Sequence, residues 1–308
     1  MNCLVAIVGP TATGKSQLAL RLAQLFAGEI VRADSRQVYR YMDIGTAKPS
    51  PEELSLVPHH LINIVNPNED FSLAQYQHSA SRAIENIQKR GKLPILVGGS
   101  GLYVWSVLEG WGIPPVPPDP EFRRRLEERA AGGEGDELYR ELVELDPVAG
   151  QRIDQRNIRR VIRALEVRRG SKIPDTQLPQ KKAPPFKTLI IGLTTERKEL
   201  YRRVDHRVDE MVERGLVDEV KRLVNMGYNF KLPAMSGIGY RQIGLLLRGE
   251  STLASAIQQI KFETHRFVRH QYAWFKLTDR RIKWFDIQCE IDSEITALVS
   301  KFLESGVA

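Results

Sequence analysis

Short aliphatic runs and stretches with helical periodicity alternate along the chain. Residues 4–8 form an unbroken aliphatic run, and Leu18, Leu22 and Leu25 then recur with the period of a helix. Further predicted strands lie at 29–32, 59–65, 94–97 and 188–193, and an amphipathic helix is predicted over 72–89. Strands that alternate with helices are typical of a parallel α/β sheet. Later residues predict mostly helices, with a long one over 252–275, a strand over 282–287 and a closing helix over 294–303.

Two proline-rich stretches interrupt this pattern. Five prolines fall within residues 110–120 and three within 179–185, and proline is excluded from helix interiors and central strands. The segment between them has helical periodicity, is rich in Arg and Glu, and contains no clear strand. We therefore expect an α/β core formed by 1–114 and 186–308, with an all-helical domain inserted over 115–185.

The composition is that of an ordinary globular protein, with 42% hydrophobic and 27% charged residues. No apolar run approaches the roughly 18 residues of a membrane span. The two cysteines, Cys3 and Cys289, have no metal or redox spacing, so we expect a reduced, cytoplasmic environment. The formal net charge of +7 and the isoelectric point near 9.4 favour a polyanionic partner.

The strongest motif lies between the first predicted strand and the first predicted helix, and consists of Gly9, Pro10, Thr11, Ala12, Thr13, Gly14, Lys15 and Ser16. It fits the pattern G-x-x-x-x-G-K-[ST], in which backbone amides and a helix N-terminus bind phosphate. Gly9 and Gly14 permit backbone angles that a side chain would block. Lys15 supplies a positive charge to the phosphates, and the Ser16 hydroxyl is placed to bind Mg²⁺. This phosphate loop predicts that the chain binds a di- or triphosphate.

Asp34 follows the second predicted strand and is the one acidic residue that ends an apolar strand near the phosphate loop. It is either a Mg²⁺ ligand or a base that takes a proton from an acceptor substrate, and its position alone does not separate these roles. The strand over 94–97 ends in Gly-Gly-Ser without a carboxylate. Its Ser100 either bonds a phosphate or metal-bound water, or forms a hydrogen bond within a turn.

Between residues 151 and 169, seven arginines occur with only two acidic residues. The apolar face of the predicted helix consists of Ile158, Val161, Ile162 and Leu165. Asn157 is its predicted N-cap. The excess of arginine favours a surface for the phosphate backbone of a nucleic acid, with a solvated helix face as the alternative.

Two later segments also carry basic residues. Arg202, Arg203 and Arg207 either neutralise a leaving diphosphate or form surface ion pairs with Asp205 or Glu210. In the long predicted helix, helical spacing predicts core packing for Phe262, Phe267, Tyr272, Trp274 and Phe275. Basic residues of that helix could flank an RNA groove, and its two histidines are not at metal-ligand spacing.

These stretches together resemble the tRNA dimethylallyltransferase family, also called tRNA isopentenyltransferases. The resemblance covers nearly the whole chain in order and is carried by GPTATGKS at 9–16, ADSRQVYRYMDIGTAKP at 33–49, VPHHLI at 57–62, LVGGSGLY at 96–103, LDPVAGQRI at 145–153, NIRRVIRALEV at 157–167, LYRRVDHRVDEMV at 200–212 and GIGYRQ at 237–242. The pairing of ADSRQVY with MDIGTAKP is far more specific than the phosphate loop alone.

The resemblance implies transfer of a dimethylallyl group from dimethylallyl diphosphate to N6 of the adenine just 3′ of the anticodon. It implies that Asp34 is the base, with Ser100 and Arg203 as further catalytic residues. It also implies that the phosphate loop, with Mg²⁺ bound through Ser16, stabilises the leaving diphosphate.

The resemblance further implies a tRNA-binding set. The flipped adenine and its neighbours would contact Asp34, Ser35, Arg36, Gln37 and Ser100. The inserted domain would hold the anticodon stem through Arg159, Arg160, Val161, Ile162 and Arg163, with Arg123 as a weaker candidate. We expect a monomer that binds tRNA and dimethylallyl diphosphate and no membrane. The alternatives are a small-molecule kinase, a dimethylallyltransferase for free adenine nucleotides, and a non-catalytic RNA-binding ATPase.

Overall fold

The computed structural model describes residues 2–114, 116–170 and 182–305. The chain folds into two compact units. The first, here called the core unit, comprises Met1–Gly110 and Ala183–Ala308, and the second, here called the helical unit, comprises Trp111–Lys182. The predicted insertion over 115–185 falls on the helical unit. Pro115 and residues 179–181 of the predicted proline-rich stretches lie outside the described residues.

Within the described residues, the core unit is built on one sheet of six parallel strands. In chain order they are β1 Cys3–Val8, β2 Gly28–Arg32, β3 His59–His60, β4 Leu93–Val97, β5 Lys187–Thr194 and β6 Ile282–Asp286. Their order across the sheet is β3-β2-β4-β1-β5-β6, and each neighbouring pair is parallel. The predicted parallel α/β core is therefore confirmed.

Helices surround this sheet and make up the helical unit. In the core unit they are α1 Lys15–Leu25, α2 Pro51–Leu56, α3 Leu73–Lys89, α4 Gly101–Leu108, α9 Arg197–Glu213, α10 Leu216–Asn225, α11 Tyr240–Leu247, α12 Leu253–Trp274 and α13 Asp292–Glu304. In the helical unit they are α5 Pro120–Arg129, α6 Gly135–Leu145, α7 Pro147–Arg152 and α8 Ile158–Gly170. No helix within these described ranges is long and apolar enough to span a membrane.

Strand β1 lies inside the sheet between β4 and β5, where Ile7 pairs with Val97 and Ile191. All of its residues are buried, which is why its sequence is an unbroken aliphatic run rather than an alternating one. One face of the sheet packs against Leu18 and Leu22 of α1. This packing places the start of α1 at the carboxyl edge of the sheet, where ligands of parallel α/β proteins bind.

The predicted strand over 59–65 is wrong in length, because β3 contains only His59 and His60. Leu61 and Asn63 have φ values of 62° and 56°, and a left-handed backbone cannot continue a strand. The pairing that remains beyond them is an isolated bridge between Tyr39 and Val65. The segment after β3 is consequently a loop.

The helical unit has a small hydrophobic core of its own. Its buried residues are Leu126, Leu138, Leu142, Val161, Ile162 and Leu165. Asn157 precedes α8, and its Oδ1 lies 3.3 Å from the backbone nitrogen of Arg160, as expected of the predicted N-cap. The helix thus buries the face predicted from its periodicity.

A buried carboxylate on α10 fixes the loop after β2. Glu219 is only 2% exposed, and its Oε2 accepts hydrogen bonds from the backbone N–H groups of Asp43 and Ile44 at 2.8 and 2.7 Å. Its Oε1 accepts from the Gly45 N–H at 3.0 Å and from the Tyr240 hydroxyl at 2.7 Å. A carboxylate is suited to this position because both of its oxygens only accept hydrogen bonds.

We predict that Glu219→Gln lowers the free energy of unfolding of the core unit by about 2–4 kcal/mol. If the amide NH₂ group replaces Oε2, two buried N–H donors lose their acceptor; if it replaces Oε1, the Gly45 N–H loses its acceptor while the Tyr240 hydroxyl can turn to accept. Each unsatisfied donor costs about 1–3 kcal/mol, and the remaining hydrogen bonds lose the contribution of the carboxylate charge. Urea unfolding measures the change. The control is Glu213→Gln at the exposed end of α9, which should change stability by less than about 0.5 kcal/mol. Equal stabilities of the two variants would contradict the assigned role of Glu219.

Candidate functional site

The phosphate loop, residues 9–16, connects the end of β1 to the first residue of α1. Gly9 has φ 130° and Gly14 has φ 79°, in the region that favours glycine. A Cβ atom on Gly9 would lie 2.3 Å from the carbonyl oxygen of Leu193 on β5, so glycine alone fits there. The loop therefore presents the N-terminus of α1 at the carboxyl edge of the sheet, in position to bind an anion.

Gln271 on α12 joins the phosphate loop to the loop after β4. Its Oε1 accepts a hydrogen bond from the Thr11 N–H at 2.9 Å, and its Nε2 donates one to the carbonyl oxygen of Gly99 at 3.1 Å. The residue is 3% exposed. Sequence analysis missed it, because in a single sequence a buried bridging glutamine looks like one on a solvent-facing turn.

A cavity of about 560 Å³ lies in front of the phosphate loop and is strongly cationic. We call it the cationic crevice. Seven Lys and Arg residues line it together with three acidic residues: Lys15, Arg32, Lys48, Arg202, Arg203, Arg207 and Arg214, with Asp34, Glu53 and Glu210. The crevice therefore has an excess of positive charge that suits a di- or triphosphate.

Burial disfavours the charged forms of Lys15, Arg32 and Arg207, and repulsion by neighbouring arginines adds to this effect at Lys15 and Arg207. Burial, followed by the charge of Arg207, lowers the pKa of Lys15 to about 7, and the attraction of Asp34 opposes this shift. Burial lowers the pKa of Arg32 to about 10 and also lowers the pKa of Arg207, again against the attraction of Asp34. A bound polyanion would stabilise the protonated forms and relieve the repulsion.

Asp34 follows β2 and lines both the cationic crevice and a second cavity. Its Oδ1 accepts hydrogen bonds from the backbone N–H groups of Arg36 at 2.8 Å and Gln37 at 3.4 Å. Within the described part of the chain, no hydrogen bond reaches Oδ2. The carboxylate is therefore oriented through one oxygen, and the other is available to a ligand.

The second cavity, here called the apolar cavity, has a volume of about 350 Å³. Its larger aliphatic lining residues are Val204, Val208, Met211, Leu216, Ile238 and Ile260. Four residues line both cavities: Thr11, Asp34, Arg207 and Phe267. The two cavities thus share a wall at which the carboxylate of Asp34 lies.

The prediction of core packing is wrong for three aromatic residues of α12, of which Trp274 is 36% exposed. Phe262 is 56% exposed and Phe267 is 41% exposed. The helix packs through a different face, which includes the buried residues Val268 and Gln271. Phe267 is consequently left to line the wall between the two cavities.

Ser35 and Ser100, which the resemblance places in one tRNA-binding set, meet beside Asp34. Ser100 Oγ accepts a hydrogen bond from the Ser35 N–H at 3.0 Å, and the two hydroxyl oxygens are 3.4 Å apart. Both residues line the apolar cavity. The pair therefore joins the loop after β4 to the loop after β2.

Arg36 and Gln37 are held by backbone carbonyl groups of the core unit. Arg36 lines the apolar cavity and donates to the carbonyl oxygen of Pro233 at 2.7 Å. Gln37 is buried, lines the cationic crevice and donates from Nε2 to the carbonyl oxygen of Thr46 at 3.0 Å. Its Oε1 is buried and has no partner among the described residues, so this atom is available to a ligand.

Arg203 and Arg207 lie one turn apart on α9 in different surroundings. Arg203 lines the crevice but pairs with Glu199 at 2.8 Å. Hydrogen bonds from Arg202 and Arg203 lower the pKa of Glu199 to about 2. Arg207 lines both cavities and forms no ion pair with any described residue, so it is better placed than Arg203 to bind a diphosphate.

The described residues do not form a metal site of their own. Among them, no group of three or more His, Cys, Asp or Glu side chains could hold an ion. The predicted Mg²⁺ ligand, Ser16 Oγ, accepts a hydrogen bond from Arg32 Nη1 at 2.8 Å. Protein Mg²⁺ sites usually combine one or two carboxylates with substrate phosphates. A hydroxyl that is bonded to a guanidinium does not fit that donor set.

The predicted tRNA-binding residues of α8 differ in their exposure. Arg159 and Arg160 are exposed and form no ion pair within the described ranges. The prediction that Val161 and Ile162 contact tRNA is corrected, because both side chains are buried in the core of the helical unit. Their helix face packs inward, so these two side chains stabilise the unit rather than contact RNA.

Glu166, which is buried in the helical unit, binds the other two predicted arginines. Arg123 Nη2 lies 2.7 Å from Glu166 Oε2, Arg163 also pairs with this carboxylate, and the Asp119 N–H donates to Oε1 at 2.6 Å. Burial opposes the charged form, but these hydrogen bonds outweigh it and hold the pKa of Glu166 below its ordinary value. Arg123 and Arg163 therefore have a structural role within the unit.

Comparisons with known proteins agree with this geometry. A family model described as IPP transferase matches residues 37–278. A tRNA dimethylallyltransferase from Thermomicrobium roseum is 52% identical over 284 residues, which are 92% of this chain and 86% of that protein. One from Dehalococcoides mccartyi is 49% identical over 303 residues, 98% of this chain and 93% of that protein.

Solved structures give the same result. The tRNA isopentenylpyrophosphate transferase of Bacillus halodurans is similar with a TM-score of 0.73 and 39% identity, over 99% of this chain and 97% of that one. A eukaryotic dimethylallyltransferase acting on tRNA is similar with a TM-score of 0.83 and 28% identity, over 99% and 80% of the two chains. The chain therefore belongs to the tRNA dimethylallyltransferase family of enzymes.

Proposed function

We propose that the chain transfers a dimethylallyl group from dimethylallyl diphosphate to N6 of the adenine 3′-adjacent to the anticodon of tRNA. The products are N6-isopentenyladenosine and diphosphate. The observation that carries this proposal is the position of Asp34, a carboxylate in the wall shared by the cationic crevice and the apolar cavity. One cavity suits the diphosphate, and the other suits the apolar and aromatic groups that react.

In this proposal the cationic crevice binds the diphosphate against the phosphate loop. The C–O bond to the diphosphate breaks during transfer, so negative charge grows on the leaving oxygen. Lys15 and Arg207 lie where they can stabilise that charge. Burial and repulsion lower the pKa of Lys15 to about 7. A bound diphosphate should raise this pKa and favour the ammonium form.

Asp34 is proposed to remove the proton that the amine must lose. The adenine N6 lone pair is delocalised into the ring, so this nitrogen is a weak nucleophile. As the N6–carbon bond forms and the carbon–oxygen bond breaks, the N6 proton passes to Asp34 Oδ2. The hydrogen bonds from Arg36 and Gln37 to Oδ1 hold the carboxylate in one orientation while this occurs.

The apolar cavity is proposed to receive the adenine after it leaves the anticodon stack. An enzyme that modifies a stacked base must flip it out first. Phe267 offers an aromatic surface at the shared wall, and single-stranded bases are commonly bound by such stacking. Ser35, Arg36 and Ser100 supply polar groups around the same cavity.

Magnesium is proposed to enter bound to the diphosphate, because the Ser16 hydroxyl predicted as its ligand is bonded to Arg32. When present, Mg²⁺ would supply additional positive charge to the leaving group. Among the described residues, no group of three or more His, Cys, Asp or Glu side chains could hold a resident ion.

The exposed arginines of α8 are proposed to bind the phosphate backbone of the tRNA. Arg159 and Arg160 are exposed, whereas Arg123 and Arg163 are held by Glu166. Phosphate contacts of this kind position a nucleic acid without reading its sequence. We further propose that the protein acts as a monomer.

We predict that incubation with labelled dimethylallyl diphosphate and unmodified tRNA transfers the label to RNA. Nuclease digestion should then release it as N6-isopentenyladenosine from the position next to the anticodon. A tRNA with guanine at that position is the matched control and should remain unlabelled. Transfer to free adenine nucleotides but not to tRNA would show that the acceptor is a free nucleotide and would contradict the proposed tRNA substrate. Absence of transfer to either acceptor would contradict the proposed reaction.

We predict that replacing both Arg159 and Arg160 by Gln weakens tRNA binding and reduces its salt dependence. The slope of log K against log [salt] is negative, and each lost phosphate contact should reduce its magnitude by roughly 0.7–0.9. The slope of this variant should therefore be shallower by about 1.5. The control removes the same charge from Arg124 and Arg140, which are exposed and paired with Glu128 and Glu137. An equal slope for the wild type and the Arg159/Arg160 variant would assign these arginines to a solvated face.

A further inference from the structure

Arg32, at the end of β2, occupies an unusual place beside the phosphate loop. Its Nη1 donates a hydrogen bond to Ser16 Oγ at 2.8 Å. In nucleotide-binding phosphate loops, this serine or threonine hydroxyl is the protein ligand of Mg²⁺. The hydroxyl that would bind the cation is therefore already bonded to a fixed positive charge.

The strand geometry accounts for the position of Arg32. Ile30 on β2 belongs to the core cluster formed with Leu18 and Leu22 of α1. Side chains two residues apart on a strand point to the same face, so Arg32 extends on the α1 side of the sheet. The first turn of α1 begins with Lys15 and Ser16, and the guanidinium reaches it directly.

Arg32 is also incompletely bonded for so buried a cation. The residue is 3% exposed, lines the cationic crevice, and has a buried Nε that finds no partner in the described ranges. A buried charged group normally has a paired counter-ion or bonds to all of its donors. The missing partner points to an anionic ligand in the crevice.

The groups around Arg32 explain why the ligand should be an anion. Asp34 and Glu53 attract its charge from the crevice wall, but neither is hydrogen-bonded to it among the described residues. Arg32 in turn repels the positive charges of Lys15 and His59. Burial is the main cause of the lowered pKa of each group, and the charge of Arg32 lowers it further. An oxygen-rich anion beside Ser16 would place a negative charge next to the guanidinium and offset this repulsion.

We propose that Arg32 binds the diphosphate at Ser16 and supplies there part of the positive charge that phosphate-loop proteins take from Mg²⁺. This inference rests on the proposed binding of a diphosphate in the crevice. Arg32 is then a further substrate-binding residue for the reaction. Its charge is held by the chain itself, so diphosphate binding should depend less on magnesium than in a site with a free serine hydroxyl.

The inference makes a specific statement about magnesium. A Mg²⁺ ion bound to Ser16 Oγ would lie within a few ångströms of the guanidinium, and the two positive charges would repel each other. Removing the guanidinium should therefore have two opposite effects. Diphosphate should bind less tightly without Mg²⁺, and Mg²⁺ should restore more of the affinity because Ser16 becomes free to bind it.

The test measures the affinity of the full chain for inorganic diphosphate by titration calorimetry, with Mg²⁺ and with EDTA. The quantity compared is the ratio of Kd in EDTA to Kd in Mg²⁺. In Arg32→Met this ratio should rise at least about tenfold over the wild type, since a charge-assisted hydrogen bond contributes about 1.5–3 kcal/mol, which is a factor of about ten to a hundred. Arg32→Lys keeps the charge, so its ratio should lie between those of the wild type and Arg32→Met.

Arg202→Met is the matched control, because Arg202 also lines the crevice but is paired with Glu199 and makes no bond to Ser16. It should bind diphosphate more weakly with both additives and keep the wild-type ratio. An Arg32→Met protein with the wild-type ratio would overturn the proposal. If this variant does not fold, a wild-type ratio in Arg32→Lys would overturn it instead. The binding test uses inorganic diphosphate and requires neither tRNA nor a prenyl group. Its outcome therefore does not depend on whether the protein carries out the transfer reaction, and the two failures can be told apart.

Discussion

The burial of positive charges at the phosphate loop is the constraint on which the site depends. Strand β2 and helix α9 place Arg32 and Arg207 in the same crevice as Lys15, and burial lowers the pKa of all three. At Lys15 the charges of Arg207 and Arg32 add to this shift. Among the described residues, Asp34 is the carboxylate that most consistently opposes these shifts. A fold that keeps such charges together must offset their cost elsewhere, and the diphosphate of the proposed reaction would provide the opposite charge.

Buried polar side chains from distant helices keep this arrangement in place. Gln271 on α12 joins the phosphate loop to the loop after β4, and Glu219 on α10 holds the loop after β2 through three backbone N–H groups. Each side-chain oxygen or nitrogen of these two residues has a hydrogen-bond partner, and such a buried network favours one conformation because alternatives leave its members unpaired. The loops around Asp34 are therefore positioned by residues that do not touch the reacting atoms.

Sequence analysis predicted the parallel sheet and the phosphate loop, because these depend on short patterns. The family resemblance implied that Asp34 and Ser100 share a site, and both line the apolar cavity. Sequence analysis did not predict Gln271, Glu219 or Arg32, since their partners are far away in sequence. Val161 and Ile162 show the same division. Helical periodicity placed them on the apolar face, which the structure confirms. The resemblance implied RNA contacts for every residue of the stretch 159–163, including these two buried ones. Pairing partners such as Glu166 likewise cannot be read from a run of arginines.

The proposed reaction depends most on the role of Asp34 as the base at the wall between the two cavities. This role is tested most directly by single-turnover transfer with Asp34→Asn at saturating tRNA across a titration of Mg²⁺. The amide keeps an acceptor for the N–H groups of Arg36 and Gln37 but cannot take the N6 proton. The account predicts a rate lower by roughly 10² to 10⁴ at every Mg²⁺ concentration, with both substrates still bound. Recovery of the rate as Mg²⁺ rises would contradict it and make Asp34 a metal ligand.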